Sequence, residues 1–282
     1  MNSFDAGLGL VDDALRQMHE RGVTLCASKA ALARLLAASR AESVSFKMPA
    51  APLVETGTAA AALVQNPYPA TTQTGSKAER LAAIRGPILQ CVRCPHLARS
   101  RTQVVFGVGN PDAEVMFVGE APGEDEDLQG EPFVGKAGQL LTKIIQAMGF
   151  AREDIYIANV LKCRPDMPPG ESGNRKPRPD EMQTCLPYLR TQIDIIQPRL
   201  LVALGGTAME GLLGETQPMA RLRGRWHDFS GTPLMATYHP AYLLRNQAPG
   251  EKRKVWEDML LVLERLGRTI TEKQQGYFLA KG

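Results

Sequence analysis

Residues 115–141, VMFVGEAPGEDEDLQGEPFVGKAGQLL, indicate the fold class of this chain. The stretch opens with an apolar run at 115–118, which predicts a buried strand. A loop rich in glycine, proline and acidic residues follows, and apolar residues at helical spacing then predict a helix at 138–148 that stops at Gly149. Strand, loop and helix in this order form half of a βαβ unit, and ligands bind such units at the carboxyl ends of the strands. The loop at 120–138 is therefore the first candidate site.

The same alternation of short apolar runs and helical patterns continues toward the C-terminus. Strands are predicted at 115–118, 155–160, 200–204 and 233–237, and helices at 138–148, 180–196, 207–213 and 251–266. This pattern predicts an α/β fold of three layers, in which a small parallel sheet lies between helices.

The segments around this α/β core differ from it in composition. We predict a helical N-terminal extension at 1–46, a flexible linker at 47–75, the functional domain at 76–270 and a C-terminal tail at 271–282. Ser76 and Glu79 have the spacing of a capping box, so a helix is expected to begin there and run toward Arg85. The pair Gly86-Pro87 is expected to interrupt that helix.

Composition and charge limit the functional classes. A hydrophobic fraction of 44% is enough for a core. No apolar run approaches the ~20 residues that span a bilayer, and the N-terminus lacks a signal-peptide pattern. We therefore expect a cytoplasmic monomer with reduced thiols and no membrane contact, with 1–46 as the candidate docking segment for a protein partner. The net charge of +3 is small, but acidic residues gather at 120–131 and basic residues at 175–178, 221–225 and 245–254. This distribution suits a polyanion above an acidic pocket, and ordinary surface charge is the alternative explanation.

One motif in the loop resembles a nucleotide-binding site but departs from it at a required position. Residues 130–136, GEPFVGK, have the spacing of a phosphate-binding P-loop, but Ala137 stands where a P-loop needs a hydroxyl for magnesium. The acidic residues just before it would repel a triphosphate. Phe133 remains unexplained by this reading or by a solvated loop, because it lies between glycines and has no helix or strand face to pack on.

The cysteines form a candidate metal site. Of the five in the chain, Cys91 and Cys94 form a C-x-x-C pair, Cys163 follows the second strand, and Cys185 lies in the next helix. In a reducing compartment such a set suits tetrahedral zinc or a [4Fe–4S] cluster, and the spacing alone does not separate the two. Cys185 also fits a packed apolar thiol, and Cys26 is expected to carry no metal.

Two polar residues follow strands at the same sheet edge. Asn159 ends the second predicted strand, and its amide offers a donor beside an acceptor, as a pyrimidine edge requires. His239 follows the last predicted strand. Taken alone, each residue also fits a structural role. Leu243 and Leu244 come next, in a predicted loop that becomes basic, and an exposed leucine there suits a wedge between DNA bases or ordinary helix packing.

Together these motifs resemble those of family-4 uracil-DNA glycosylases, the type that carries an iron–sulfur cluster. The resemblance covers residues 88–267 through the motifs GEAPGEDED (119–127), PFVGKAGQLL (132–141), NVLKCRP (159–165), NRKPRPDE (174–181) and HPAYLLR (239–245). It implies the superfamily fold and a DNA-repair enzyme that acts on uracil in single- or double-stranded DNA. Such an enzyme hydrolyses the N-glycosidic bond of a flipped deoxyuridine and leaves an abasic site.

The resemblance also implies ligands and catalytic residues. It places a [4Fe–4S] cluster on Cys91, Cys94, Cys163 and Cys185, in preference to zinc. Phe133 is expected to stack on the base, Asn159 to read its hydrogen-bonding edge, and His239 to stabilise charge at the uracil carbonyl.

Three further positions take roles from the same resemblance. The backbone at Gly119, Glu120 and Ala121 is expected to contact uracil, and Leu243 to fill the gap left in the duplex. In some superfamily members an aspartate that positions water replaces Ala121. That carboxylate is missing here, so Glu126 is our candidate for the water-activating group.

Two other functional classes remain open at this point. A non-catalytic iron–sulfur module that binds nucleic acid would need the cysteines but neither Asn159 nor His239. A cluster-bearing electron-transfer protein would need neither the pocket nor the wedge. Release of uracil from DNA separates an enzyme from both alternatives.

Overall fold

The computed structural model describes residues 75–168 and 170–279. The predicted helices within 1–46, the linker up to residue 74 and Cys26 lie outside the described residues. Over the described residues, strands and helices alternate along the chain as the sequence predicts.

A six-stranded sheet forms the centre of the domain. Its strands are β1 (Val108–Gly109), β2 (Val115–Gly119), β3 (Tyr156–Asn159), β4 (Leu200–Leu204), β5 (Trp226–Phe229) and β6 (Thr232–Thr237), in the order β1-β3-β2-β4-β6-β5. The inner strands β3, β2, β4 and β6 are parallel and match the predicted strands. The sheet as a whole is mixed, because β1 and β5 pair antiparallel at its edges. Sequence patterns missed both edge strands, since β1 has only two residues and β5 is mostly half-exposed.

Helices cover both faces of the sheet. They are α1 (Lys77–Leu89), α2 (Pro95–Ser100), α3 (Glu124–Gln129), α4 (Lys136–Ala147), α5 (Pro179–Ile196), α6 (Gly206–Leu213), α7 (Met219–Leu222), α8 (Pro240–Arg245), α9 (Pro249–Arg265) and α10 (Glu272–Gln275). The four long predicted helices correspond to α4, α5, α6 and α9. Within the described ranges, no helix combines the length and the apolar character needed to cross a bilayer.

Successive residues of the inner strands point into two separate cores. In β2, Met116 and Val118 pack with residues of α1, α5 and α6, whereas Val115 and Phe117 pack with residues of α4 and α9. Both faces of each inner strand are therefore buried, which explains why these strands are continuous apolar runs. The predicted three-layer α/β architecture is confirmed.

Helix α1 begins as predicted and ends later than predicted. The Ser76 hydroxyl accepts from the Glu79 N–H (3.3 Å), and the Glu79 carboxylate accepts from the Ser76 N–H (2.8 Å), which completes the capping box. The expected interruption at residues 86–87 is wrong, because the helix continues through them to its last residue, Leu89. Ile84 and Ile88 are fully buried against the core that includes α5. Burial of two such side chains contributes about 1.5–3 kcal/mol each, enough to offset the ~3 kcal/mol cost of an internal proline.

The predicted C-terminal tail docks on α9 over its described part. Trp256 Nε1 donates to the Gln274 carbonyl oxygen (2.5 Å), and Arg253 Nη1 donates to the carbonyl oxygens of Gln275 (2.7 Å) and Tyr277 (2.9 Å). Residues 271–277 therefore pack as part of the domain.

Candidate active site

The carboxyl ends of the parallel strands open onto a cavity of about 390 Å³. It is lined by Glu120, Ala121, Pro122, Gly123, Glu126, Phe133, Ala137, Asn159, Asn174, Arg175, Lys176, His239, Ala241 and Arg245. Residues selected separately after β2, β3 and β6 thus share one cavity, at the edge where α/β sheets bind ligands.

Gly119, the last residue of β2, is absent from the cavity lining but leaves room for two side chains that belong to it. A Cβ built at this residue would lie 2.4 Å from Asn159 Oδ1 and 2.6 Å from the Phe133 ring. Both contacts are shorter than a real Cβ tolerates, so any larger residue would displace the amide or the ring. Glycine at the end of β2 therefore allows the Asn159 amide and the Phe133 ring to occupy one corner of the cavity.

Asn159 presents an unpaired polar atom in this corner. The residue is 2% exposed, and its Oδ1 has no hydrogen-bond partner among the described residues. An unsatisfied buried acceptor costs about 1–3 kcal/mol, so such atoms are rare in folded proteins. The oxygen is positioned to accept a hydrogen bond from a ligand N–H.

His239 lies at the N-cap of α8 and is held in a defined protonation state. Its Nδ1 accepts from the Ala241 N–H (3.2 Å), which places the ring proton on Nε2. Burial lowers the pKa of His239 to about 4, and Arg245 acts in the same direction. At neutral pH the ring is an uncharged donor at the cavity wall.

The strand end that carries His239 is fixed by a buried carboxylate. Asp258 of α9 is fully buried and accepts from Thr237 Oγ1 (2.6 Å) and from Arg223 Nη2 (2.8 Å). Thr237 is the last residue of β6, two positions before His239. This network anchors the backbone that leads into the cavity.

The loop between α3 and α4 places Phe133 against the cavity. Phe133 is 7% exposed with φ of 55°, and its ring centroid lies 5.5 Å from that of His239. Glu126 holds the loop from one side: its Oε1 accepts from the N–H groups of Val134 and Gly135 (both 3.2 Å) and its Oε2 from that of Gly123 (3.0 Å). The Glu126 carboxylate is therefore at the cavity and also fixes the backbone around Phe133.

Glu120 lines the cavity beside α6. Burial raises the pKa of Glu120, while the Thr207 hydroxyl and Lys176 oppose that shift and Glu210 adds to it. Lys176 forms an ion pair with Glu210. Sequence reasoning gave no role to Thr207 or Asn174, and it placed Arg175 and Lys176 only in a basic strip for a polyanion, although the NRKPRPDE motif at 174–181 was the available signal.

The four described cysteines come from four segments of the chain. Cys163 and Cys185 are buried and Cys91 and Cys94 are partly exposed. They lie after α1, at the N-cap of α2, after β3 and within α5. The structure thus brings together segments that the sequence separates, beside the core and outside the cavity lining.

Hydrogen-bond donors point at three of these sulfur atoms. Arg101 Nη1 donates to Cys163 Sγ (3.0 Å), the Lys162 backbone N–H to Cys185 Sγ (3.3 Å), and the Tyr188 hydroxyl to Cys91 Sγ (3.3 Å). N–H and O–H donors stabilise a thiolate relative to a thiol, and the thiolate is the form that binds a metal.

A charged cluster beside Cys94 has the composition of a metal site but is occupied by protein groups. His96, Asp166 and Glu181 are the only set of three ligand-type side chains in the described residues whose ligand atoms lie within 4.8 Å of one another. Glu181 accepts from Arg175 Nη2 (2.7 Å), the Arg178 N–H (2.6 Å) and His96 Nε2 (2.8 Å). These contacts lower the pKa of Glu181 to about 2, against the effect of its burial. The cluster is an ion-pair network that holds the residues before α5.

The predicted wedge position differs from its expected environment. Residues 240–245 form helix α8 instead of a loop, and Leu243 is 4% exposed, so the expectation of an exposed side chain at this residue is wrong. Successive residues of an α-helix point in directions about 100° apart. In α8, Leu243 therefore points into the protein and Leu244 points outward. Leu244 is 38% exposed and is the leucine of this pair that reaches solvent.

A family model and three similar proteins all carry the name uracil-DNA glycosylase. The sequence model of the Uracil DNA glycosylase superfamily matches residues 106–260. A type-4 uracil-DNA glycosylase of Thermotoga maritima is 42% identical over 186 residues, which cover 65% of this chain and 93% of that protein. The type-4 enzyme of Archaeoglobus fulgidus is 42% identical over 59% of this chain and 84% of its own length. A type-5 uracil-DNA glycosylase of Pyrobaculum aerophilum is 28% identical over 55% of this chain and 80% of its own length.

Proposed function

The chain belongs to the uracil DNA glycosylase superfamily, and from that premise we propose that it excises uracil from DNA during base repair. The reaction hydrolyses the N-glycosidic bond of a flipped deoxyuridine and leaves an abasic site. The substrate is DNA that contains uracil, single- or double-stranded. The cytoplasmic location, the monomeric state and a partner for residues 1–46 stay predictions.

The observation that carries this proposal is the unpaired Oδ1 of Asn159. Uracil presents an N–H between two carbonyl oxygens, so an amide oxygen and an amide N–H can engage that edge together. Cytosine presents an amino group and a ring acceptor instead, which the same amide orientation does not match. The buried acceptor at Asn159 gains its hydrogen bond when a base with the uracil pattern enters the cavity.

Two residues supply the chemistry of bond cleavage. The departing uracil gains negative charge, which the Nε2–H of His239 stabilises as a fixed donor. The sugar gains positive charge, and Glu126 is our candidate to stabilise that cation or to hold the attacking water. Both Glu126 oxygens already accept backbone N–H groups, so its carboxylate is fixed in place. Phe133 stacks on the base, and the backbone at 119–121 contacts it.

We also propose that Cys91, Cys94, Cys163 and Cys185 hold a [4Fe–4S] cluster. Zinc bonds to sulfur at ~2.3 Å, which would bring tetrahedral sulfurs to about 3.8 Å from one another. No three of these described thiols lie within 4.8 Å of one another, so the set is wider than a zinc site. When bound, the cluster serves as a structural tie between distant segments.

The test is uracil release from an oligonucleotide. We expect alkali-labile abasic sites at uracil and none at cytosine or thymine. Asn159→Asp keeps the shape but removes the amide donor, so excision should fall about ten- to a hundredfold. A folded wild-type protein that binds DNA but releases no uracil would favour the non-catalytic nucleic-acid module, and a protein that also fails to bind DNA would favour electron transfer.

The wedge is tested by comparing two neighbouring leucines. Leu244→Ala should slow excision from duplex DNA more than from single strands, because only a stacked partner resists flipping. Leu243→Ala should mainly lower the melting temperature, since truncation of a buried leucine costs about 2–5 kcal/mol. A duplex-specific loss in Leu243→Ala at unchanged stability would instead assign the wedge to Leu243, as the family resemblance implies.

A further inference from the structure

The backbone at Phe133 is in a conformation that its neighbours must enforce. Its φ of 55° lies in the left-handed region, which costs a residue with a Cβ roughly 1–2 kcal/mol. Such conformations persist where surrounding contacts over-determine them. In this conformation the ring lies beside Gly119 and next to the His239 ring.

Arg152 binds this turn through backbone carbonyl oxygens. Its Nη2 donates to the carbonyl oxygens of Pro132 (2.7 Å) and Phe133 (3.0 Å), and its Nη1 donates to Thr142 Oγ1 (3.1 Å). Thr142 Oγ1 in turn donates to the Gly138 carbonyl oxygen (3.1 Å), which ties the guanidinium to helix α4. The guanidinium of Arg152 therefore binds two consecutive carbonyl oxygens, that of Pro132 before the turn and that of Phe133 at the turn.

The two charged groups hold complementary parts of the same turn. Arg152 takes the carbonyl oxygens of residues 132 and 133, and Glu126 takes the N–H groups of residues 134 and 135. The helix that follows approaches so closely that a Cβ at Gly138 would lie 1.8 Å from the Phe133 carbonyl oxygen. The turn is thus fixed on the carbonyl side, on the amide side and by α4.

Arg152 is well placed to act on the base without touching it. It is half-buried and absent from the cavity lining. It belongs to the 3₁₀ turn Arg152–Asp154, just before β3, whose last residue is Asn159. The arginine therefore links the ring that covers the base to the strand that reads its edge.

We propose that Arg152 is a positioning residue of the uracil site, which fixes the left-handed turn at Phe133 and thereby aligns the ring for stacking on the base. The inference rests on the proposed uracil-excising function. Without Arg152 the carbonyl oxygens of 132 and 133 lose a charged donor, and the turn relaxes toward ordinary backbone conformations. The ring then moves away from Gly119 and His239, and the base loses its stacking partner.

The experiment compares Arg152→Ala, Arg152→Lys and Phe133→Ala with a matched control. Arg199→Ala is that control, because Arg199 also donates to a carbonyl oxygen, that of Leu266 (3.4 Å), but is absent from the cavity lining. Two affinities are measured for each protein: for an oligonucleotide with a non-cleavable deoxyuridine analogue, and for the same oligonucleotide with an abasic analogue. Their ratio reports recognition of the base alone.

Arg152→Ala should reduce this ratio about 5- to 150-fold, the range for loss of one aromatic stacking contact. Arg152→Lys should give an intermediate loss, because one ammonium cannot bind both carbonyls and Thr142 in the geometry of the guanidinium. In a Phe133→Ala background Arg152→Ala should have little further effect, since the two changes remove the same contact. Arg199→Ala should leave the ratio unchanged.

Three results separate the possible failures. Equal loss of both affinities in Arg152→Ala, or full additivity with Phe133→Ala, would overturn the positioning role and leave Arg152 as a support of the fold. If Arg152→Ala does not fold, an unchanged ratio in folded Arg152→Lys would overturn it as well. If the wild-type protein itself shows no preference for the deoxyuridine analogue, the proposed function fails and this inference fails with it.

Discussion

His239→Ala should slow single-turnover uracil excision about 10²- to 10³-fold, with little change in binding to a non-cleavable uracil analogue. Loss of one fixed donor to a developing oxyanion typically has an effect of this size. The neutral base needs the donor less than the departing anion does, so the loss falls on the rate and spares binding. The measurement is a single-turnover time course at saturating enzyme.

A matched variant and the pH dependence make this prediction specific. His227→Ala is the control, because His227 lies in edge strand β5 and contacts the Leu222 carbonyl oxygen (2.9 Å) outside the cavity. The pKa of His239 is near 4, so the ratio of wild-type to His239→Gln rates should stay constant from pH 8 to about 5. A ratio that changes near pH 6.5 would mean that His239 acts as an ordinary titrating base. A folded His239→Ala enzyme with the wild-type rate would remove His239 from the mechanism altogether.

The same shift predicts a stability change with pH. The pKa of His239 is lowered to about 4 in the fold from 6.5, so between these values the unfolded chain binds more protons than the folded one. His239 therefore reduces stability progressively as pH falls from 6.5 to 4, and leaves it unaffected above 6.5. His239→Gln, which does not titrate, should lose less stability than the wild type over that interval.

The sequence predicted the parts of this protein that depend on apolar patterning. The inner strands are continuous apolar runs because both faces are buried, and that pattern is visible in residues 115–118 and 200–204 without a structure. The edge strand β5 is mostly half-exposed, so its sequence carries no such run. Helix α1 passes through Pro87 because of long-range burial at Ile84 and Ile88, which local propensity does not include.

Some residues of the candidate site were also predictable from the sequence, whereas others were not. Asn159 and His239 were predictable because Asn159 ends a strand and His239 comes just after one, and parallel strands end at one edge. Thr207 and Arg152 were not, because their roles depend on contacts with Glu120 and with the carbonyls around Phe133 that arise only in the fold. Leu243 differs from both groups. Its motif was visible in the sequence, but residues 240–245 form a helix instead of a loop, and in that helix Leu244 is the leucine that faces solvent.

A large effect is also expected at the cysteines, where Lys162 makes the proposed cluster part of the stability of the core. Lys162 is 1% exposed, and its Nζ donates to Gln192 Oε1 (2.5 Å). Burial lowers the pKa of Lys162 to about 8, and the thiol groups of Cys185 and Cys163 act in the opposite direction. In the described residues no carboxylate forms an ion pair with this lysine, so we expect the thiolates that would hold the proposed cluster to be its counter-charge.

Loss of the metal should therefore remove an anion and leave a buried cation. Burial raises the pKa of Cys185 to about 12 and also raises that of Cys163, so both revert to neutral thiols at pH 7 without iron. A buried charge without its partner is strongly destabilising, typically by about 3–5 kcal/mol. Protein purified without oxygen should be brown and contain about four irons. Cys185→Ser should be colourless and melt well below the wild type.

Lys162→Met tests whether electrostatics causes this loss. The variant keeps the side-chain length but has no charge, so removal of iron should lower its melting temperature less than it lowers that of the wild type. Lys252→Met, at a partly exposed position of α9, is the matched control and should behave as the wild type does. If chelation destabilises Lys162→Met as much as the wild type, the cysteines stabilise the protein only by tying its segments together. If the wild type instead contains stoichiometric zinc and no iron, the cluster assignment is wrong. The thiols would then have to move closer together than they are in the structure in order to bind the zinc ion.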